Sequence, residues 1–160
     1  MINVAADSGS NRTGTVTIGG QTFTVNQTGA GIIAAFNMFD PLSQTGVVTA
    51  CRVRGPINSV TICPLTSTSR INGASTLANW AWTVQYTYDG KAKTLTQSSG
   101  TIQDFQFSEF CGLSGSSAGG TIIPLTVSLT VTDSNGVQAT ATSGTGTQPA
   151  LQFVAYTCGS

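Results

Sequence analysis

Apolar residues recur at every second position through much of this chain, the period of a half-buried β-strand. From Trp80 to Tyr88 the apolar set is Trp80, Trp82, Val84, Tyr86 and Tyr88, with Ala81, Thr83, Gln85 and Thr87 between them. A second run places Ile123, Leu125, Val127, Leu129 and Val131 on one face and Thr126, Ser128, Thr130 and Thr132 on the other. Asp133-Ser-Asn-Gly136 then reads as a hairpin turn, with Val137, Ala139 and Ala141 on the return strand. Pro124 has no N–H to donate, so it marks the start of its strand or a sheet edge.

The rest of the chain follows the same pattern in shorter pieces. Val16 and Ile18 alternate with threonines, Gly19-Gly20 supplies a tight turn, and Phe23 and Val25 alternate on the way back. Residues 29–46 are too apolar for a flexible linker and are expected to pack on the core as a short strand, with an irregular turn at Asp40-Pro41. Strands are predicted over 47–54 and 59–65, separated by Gly55-Pro56. A polar loop follows over 67–76. Asp89-Gly90 turns the Trp80–Tyr88 strand into a return over 91–96. A shorter strand is predicted over 102–108, a Gly/Ser loop over 112–120, and a last strand over 150–158. About seven or eight strands between residues 47 and 158 suit two packed antiparallel sheets of the immunoglobulin type. The fold class is therefore an all-β, immunoglobulin-like sandwich with an additional N-terminal hairpin. The division is residues 1–46, hairpin and packed connector, and residues 47–160, the sandwich with its C-terminal strand.

Composition narrows the functional classes. Charged residues make up 8% of the chain, against about 25% in an average domain, so hydroxyls and not ions make its solvent faces polar. Net charge is zero, and the six basic residues, Arg12, Arg52, Arg54, Arg70, Lys91 and Lys93, are scattered. A phosphate-backbone partner needs them clustered, so no nucleic-acid partner is expected. Arg52 and Arg54 share a strand face and read as solvated surface. No run of eighteen apolar residues occurs, so no membrane insertion is expected. Met1 running straight into a polar strand pattern reads as a processed product.

Four cysteines, Cys51, Cys63, Cys111 and Cys158, lie at wide spacings, and there is no histidine. Structural zinc sites bring their cysteines in close pairs. Two disulfides are the better reading, and they imply an oxidising, extracellular compartment. Four cysteines permit three connectivities.

Two stretches resemble known families. Arg12-Thr-Gly-Thr-Val-Thr-Ile18, Gly19-Gly20 and Gln21-Thr-Phe-Thr-Val-Asn-Gln27 resemble the last strands of BACON-like repeats of bacterial surface and secreted proteins. That likeness covers about residues 3–28, the final third of such a domain. Asn79-Trp-Ala-Trp82 and Val127-Ser-Leu-Thr-Val-Thr-Asp-Ser-Asn-Gly-Val-Gln-Ala-Thr-Ala141 resemble a PKD-like or Ig-like domain of bacterial exported proteins, over about residues 47–145. The chain departs from that pattern at Val84–Gly90, which lengthens the strand, and in its four cysteines. The resemblance implies an exported, cell-surface or secreted bacterial protein. On such a core, Cys63 to Cys111 would clamp the front and Cys51 to Cys158 would tie the first strand to the last.

Candidate chemistry is sparse. The acids are Asp7, Asp40, Asp89, Asp104, Asp133 and Glu109. The near pair Asp104 and Glu109 would point to opposite strand faces, which does not suit a glycosidase dyad. Asp89 and Asp133 read as turn-capping residues. Asp133, Ser134 and Asn135 offer too little charge for calcium, which takes six to eight oxygens. No catalytic residue, metal or cofactor is expected, and the chain is read as no enzyme. The row Trp80, Trp82, Tyr86, Tyr88 reads first as core; Tyr88 and Trp80 are its candidate ligand contacts, for a sugar. The expectation is a non-catalytic structural, adhesive or spacer module. The alternatives are a self-assembling filament subunit using strand complementation and a carbohydrate-binding module. The partners implied are another protein, further copies of itself, or a polysaccharide.

Overall fold

The computed structural model describes residues 12–27, 31–40, 46–53, 60–73, 75–88, 90–99, 104–110 and 121–155. Fourteen strands run through them: β1 (Arg12–Ile18), β2 (Gln21–Gln27), β3 (Gly31–Ile33), β4 (Phe36–Phe39), β5 (Val47–Val48), β6 (Ala50–Val53) and β7 (Val60–Ser67). These are followed by β8 (Arg70–Asn72), β9 (Leu77–Tyr88), β10 (Lys91–Ser99), β11 (Asp104–Phe110), β12 (Thr121–Asp133), β13 (Gln138–Thr142) and β14 (Leu151–Ala155). The fold is an all-β sandwich.

The first sheet runs β10-β9-β12-β14-β6, with β13 also on β12. The long strands β9 and β12 pair antiparallel from Thr126↔Gln85 to Asp133↔Leu77. On the other edge of β12, β13 covers Ser128–Thr132 and β14 covers Thr121–Leu125. Between them Ser143 continues the ladder: its N–H donates to the Val127 carbonyl at 2.8 Å, and its hydroxyl accepts from the Val127 N–H at 2.9 Å. One pair departs from the antiparallel rule, since β14 and β6 run parallel. The second sheet is antiparallel throughout, in the order β11-β7-β4-β5.

Inward residues of both sheets make one core. Val84, Val127, Leu129, Val131, Leu65 and Phe153 are fully enclosed, and Trp80, Trp82, Tyr86, Tyr88, Ile123 and Leu125 join them. Both predicted alternating faces are thus the core faces. Phe36 at the start of β4 meets Trp82 of β9 edge-on, with ring centroids 5.6 Å apart. Just beyond the end of β4, Asp40 meets Arg52 of β6. Contacts along β4 thus pass from β9, at Phe36, to β6, just beyond Phe39.

Several segments differ from the sequence reading. The strand predicted over 47–54 divides at Thr49 into β5, on the second sheet, and β6, on the first. Residues 31–39 form two strands, β3 and β4, and β4 is an integral member of the second sheet. The polar stretch 67–76 is not all loop: Arg70–Asn72 form β8, which pairs with β3 through Ile32↔Ile71. Half-buried Ile32 and Ile71 make that pairing worthwhile in a segment whose other residues are polar. The strand predicted over 102–108 is present from the first described residue, Asp104, and runs two residues further, to Phe110, in register with β7 through Phe107↔Cys63. The N-terminal hairpin is present as expected, closed by Gly19 and Gly20 with φ of 58° and 82°. Only residues without a Cβ penalty take two successive positive φ values readily, the requirement of this turn. The predicted turn residue Asp89 and the Gly/Ser loop 112–120 lie outside the described residues.

Candidate functional site

The chemically distinctive part of the molecule is the seam where β6 crosses to β7. Cys51 and Cys63 are both buried and joined by a disulfide, a closure of twelve residues. This bond excludes both bridges expected on the resemblance, because each of those used one member of this pair. β6 is an edge strand of the first sheet, paired parallel to β14, and Cys51 there meets Cys63 in the middle of β7 on the second sheet. Cys111 and Cys158 lie outside the described residues.

Beside the disulfide stands an ion pair. The Arg52 Nε–H donates to Asp40 Oδ2 at 2.6 Å, with the Asp40 side chain buried and that of Arg52 about a third exposed. Arg52 is therefore not the solvated surface residue expected; it neutralises a carboxylate that the second sheet carries inward. A lone acid inside the apolar run 32–42 was the one sequence signal of a buried partner. The pair and the disulfide staple the same two sheets at the same place.

Trp80 and Tyr88 are 6% and 8% exposed. The Trp80 indole N–H donates to Ser67 Oγ at 3.2 Å. Tyr88 packs against Phe153 with centroids 5.5 Å apart, and Tyr86 meets the same ring edge-on at 5.3 Å. Neither of the two candidate ligand contacts presents a ring face to solvent. Lys93 of β10 sits over both tyrosines, 5.9 Å from the Tyr86 centroid and 5.3 Å from that of Tyr88.

An open groove of ≈ 620 Å³ lies on the outer face, lined among others by Gln85, Thr87, Thr94, Ile122, Pro124 and Thr126. It begins where the β9–β12 ladder ends at Thr126↔Gln85 and β12 goes on with β14. Pro124 stands in that terminal stretch, as its missing N–H demanded. The groove wall is hydroxyl, amide and aliphatic, with Tyr86 its aromatic member and Lys93 its cation, and no carboxylate stands among the lining residues.

At the opposite end of β12, Asp133 closes the β12–β13 turn. Its Oδ1 accepts from the N–H of Asn135 at 2.9 Å and of Val137 at 2.8 Å. Burial raises its pKa, but the Ser75 hydroxyl and the N–H groups of Val137, Asn135 and Gly136 outweigh that and hold it below the ordinary value of 3.8. The structure thus gives this residue the capping role read from the sequence. Among the described residues no group of three or more His, Cys, Asp or Glu side chains stands together.

Comparison of the chain with protein-family models, with curated proteins and with solved structures finds no match.

Proposed function

We propose that this chain is a non-catalytic structural module, a spacer or adhesive domain, of an exported bacterial protein. The observation that carries the reading is the buried Cys51–Cys63 bridge between the two sheets, a bond kept in an oxidising compartment. The outward faces of β12 and β13 support it. Their hydroxyls pair with one another, Ser128 with Thr142 at 3.0 Å and Thr130 with Thr140 at 2.8 Å. Such a surface stays hydrated without charge and stiffens the sheet by cross-strand contacts. The PKD-like or Ig-like likeness of residues 47–145 points the same way.

A second reading, self-assembly, has its own observation. The β1–β2 hairpin pairs only with itself among the described strands, and Ile18 and Phe23 on its apolar face are 52% and 49% exposed. A two-stranded hairpin is marginal in water without a covering layer. Light scattering across a concentration series, with negative-stain microscopy of the same samples, separates the two readings. A constant monomer mass supports the spacer; a mass that climbs with concentration, with regular polymers on the grid, supports the assembly subunit.

A further inference from the structure

β9 and β12 separate at one end of the first sheet. Their ladder closes with Thr126↔Gln85, yet β9 runs on to Tyr88 and β12 begins back at Thr121. Between the two outlying stretches lies the open groove of ≈ 620 Å³. The ladders fix which backbone groups face it. The Gln152 N–H donates to the Thr49 carbonyl at 3.0 Å, so Gln152 turns its backbone toward β6 and away from β12. Its partner Pro124 therefore turns away from β14 and into the groove, as does Ile122, two residues earlier. On β9, Thr87 faces the groove too, two residues beyond Gln85, which faces Thr126.

The fork thus offers the N–H and C=O of Thr87 on one wall. On the other stand the N–H and C=O of Ile122 and the C=O of Pro124. None of these groups has a ladder partner among the described strands. Pro124 is the reason the walls do not close on each other. Continued, the register would set Thr87 opposite Pro124, which has no N–H to give.

An extended chain matches such a fork, because it carries donors and acceptors along both of its edges. Residues 1–11 supply one. Ile2, Val4 and Ala6 alternate with Asn3, Ala5 and Asp7, and no proline interrupts them. Their one charged side chain is Asp7, while the groove brings the cation Lys93 and no carboxylate. Position favours the arm of a neighbour. Arg12 lies opposite Gln27, four residues before β3. Ala35, two residues after β3, bonds Ser69, and Ser69 and Trp80 both bond Ser67, so the chain enters the sandwich level with Trp80. Trp80 pairs with Val131, seven residues or about 23 Å along β12 from Pro124. The arm starts toward one end of the sandwich and the fork opens at the other.

We propose that residues 2–7 of one copy enter the β9–β12 fork of the next copy as an added strand. The inference rests on the assembly reading above and names its joint. Filling its own fork would take an arm back along the sandwich, whereas copies set end to end bring arm and fork together. A contact between unlike surfaces leaves one arm and one fork open at the ends, so it propagates.

The test uses the full chain and two variants, Val4→Pro in the arm and Thr87→Pro in the fork. Each removes one N–H of the proposed joint, and that of Thr87 belongs to no ladder. Unchanged tryptophan emission reports that a variant keeps its core. Val4→Pro alters no described strand and decides the matter if Thr87→Pro fails to fold. Light scattering from about 1 µM to about 1 mM is expected to show growing mass for the parent chain. Each variant alone should associate at least about tenfold more weakly. An equimolar mixture of the two should form dimers and stop there, because one intact arm meets one intact fork. A synthetic peptide of residues 1–11, in excess, should cap the parent's growth. A parent chain that stays monomeric throughout overturns this joint and the assembly reading together. Growth that neither Val4→Pro nor the peptide alters overturns the joint alone and leaves assembly by another surface.

Discussion

Asp133 stands where β12 ends and the backbone must reverse, and two N–H groups of the turn have only its carboxylate to bond. Its folded pKa lies below the ordinary 3.8. The stabilisation it supplies is therefore complete above the unfolded value and is lost as pH falls through the lower folded value. Thermal unfolding followed from pH 6 downward should show the parent chain losing stability below about pH 4. Asp133→Asn, which keeps the Oδ1 acceptor and removes the charge, should be less stable at neutral pH and flatter in that acid range. An unaltered slope in the variant would move the acid sensitivity to another carboxylate. Arg52 makes a different kind of contribution. Arg52→Ala takes the cation from a buried carboxylate and is expected to cost about 1–3 kcal/mol, measured by urea denaturation. A change within about 0.5 kcal/mol would mark the pair as an ordinary surface one.

At the scale of elements, the disulfide joins a short edge strand to the middle of β7 across a closure of twelve residues. β6 has only four residues and one strand neighbour, β14, so the bond reinforces a short pairing. Replacing Cys51 and Cys63 together by serine should cost about 2–4 kcal/mol, seen as a lower urea midpoint. A midpoint unchanged by the double replacement would mean the seam is held by packing and the Asp40–Arg52 pair alone. The long strands were legible because period two ran unbroken for nine residues in each, and both alternating faces turned out to be the core. The hairpin was legible because Gly19-Gly20 can close it and few other pairs can. What could not be read lay in pairing between distant elements. Arg70–Asn72 becomes a strand only because Ile33, Ile32 and Gly31 lie beside it. Cys51 meets Cys63 through the placement of β6 on the far edge of the first sheet, beside β14, and no local pattern encodes that placement. Trp80 and Tyr88 could be core or platform on pattern alone; only the second sheet lying across β9, and Phe153 alongside, decided for the core.

As a whole the molecule puts its strongest chromophores inside. Both tryptophans are buried, Trp82 at 1% exposure. The folded chain should emit at short wavelength and resist quenching by iodide, and emission should shift red on unfolding. Titration with soluble glucans or chitin oligomers should leave that emission unchanged. A saturable change would return the row to the role of a sugar platform and weaken the spacer reading. On the proposed reading as a structural module, the two sheets are held together at the seam between β6 and β7, where the disulfide and the Asp40–Arg52 pair lie.

That seam has a direct assay in non-reducing tryptic peptide mapping, because the six basic residues fall in useful places. Cleavage after Arg12, Arg52, Arg54, Arg70 and Lys93 puts Cys51 in the peptide 13–52, Cys63 in 55–70, and both Cys111 and Cys158 in 94–160. Peptides 13–52 and 55–70 should travel together until a reductant is added, while 94–160 is found apart from them. Recovery of 94–160 linked to either of the other two would contradict the seam, and with it the way the two sheets are joined.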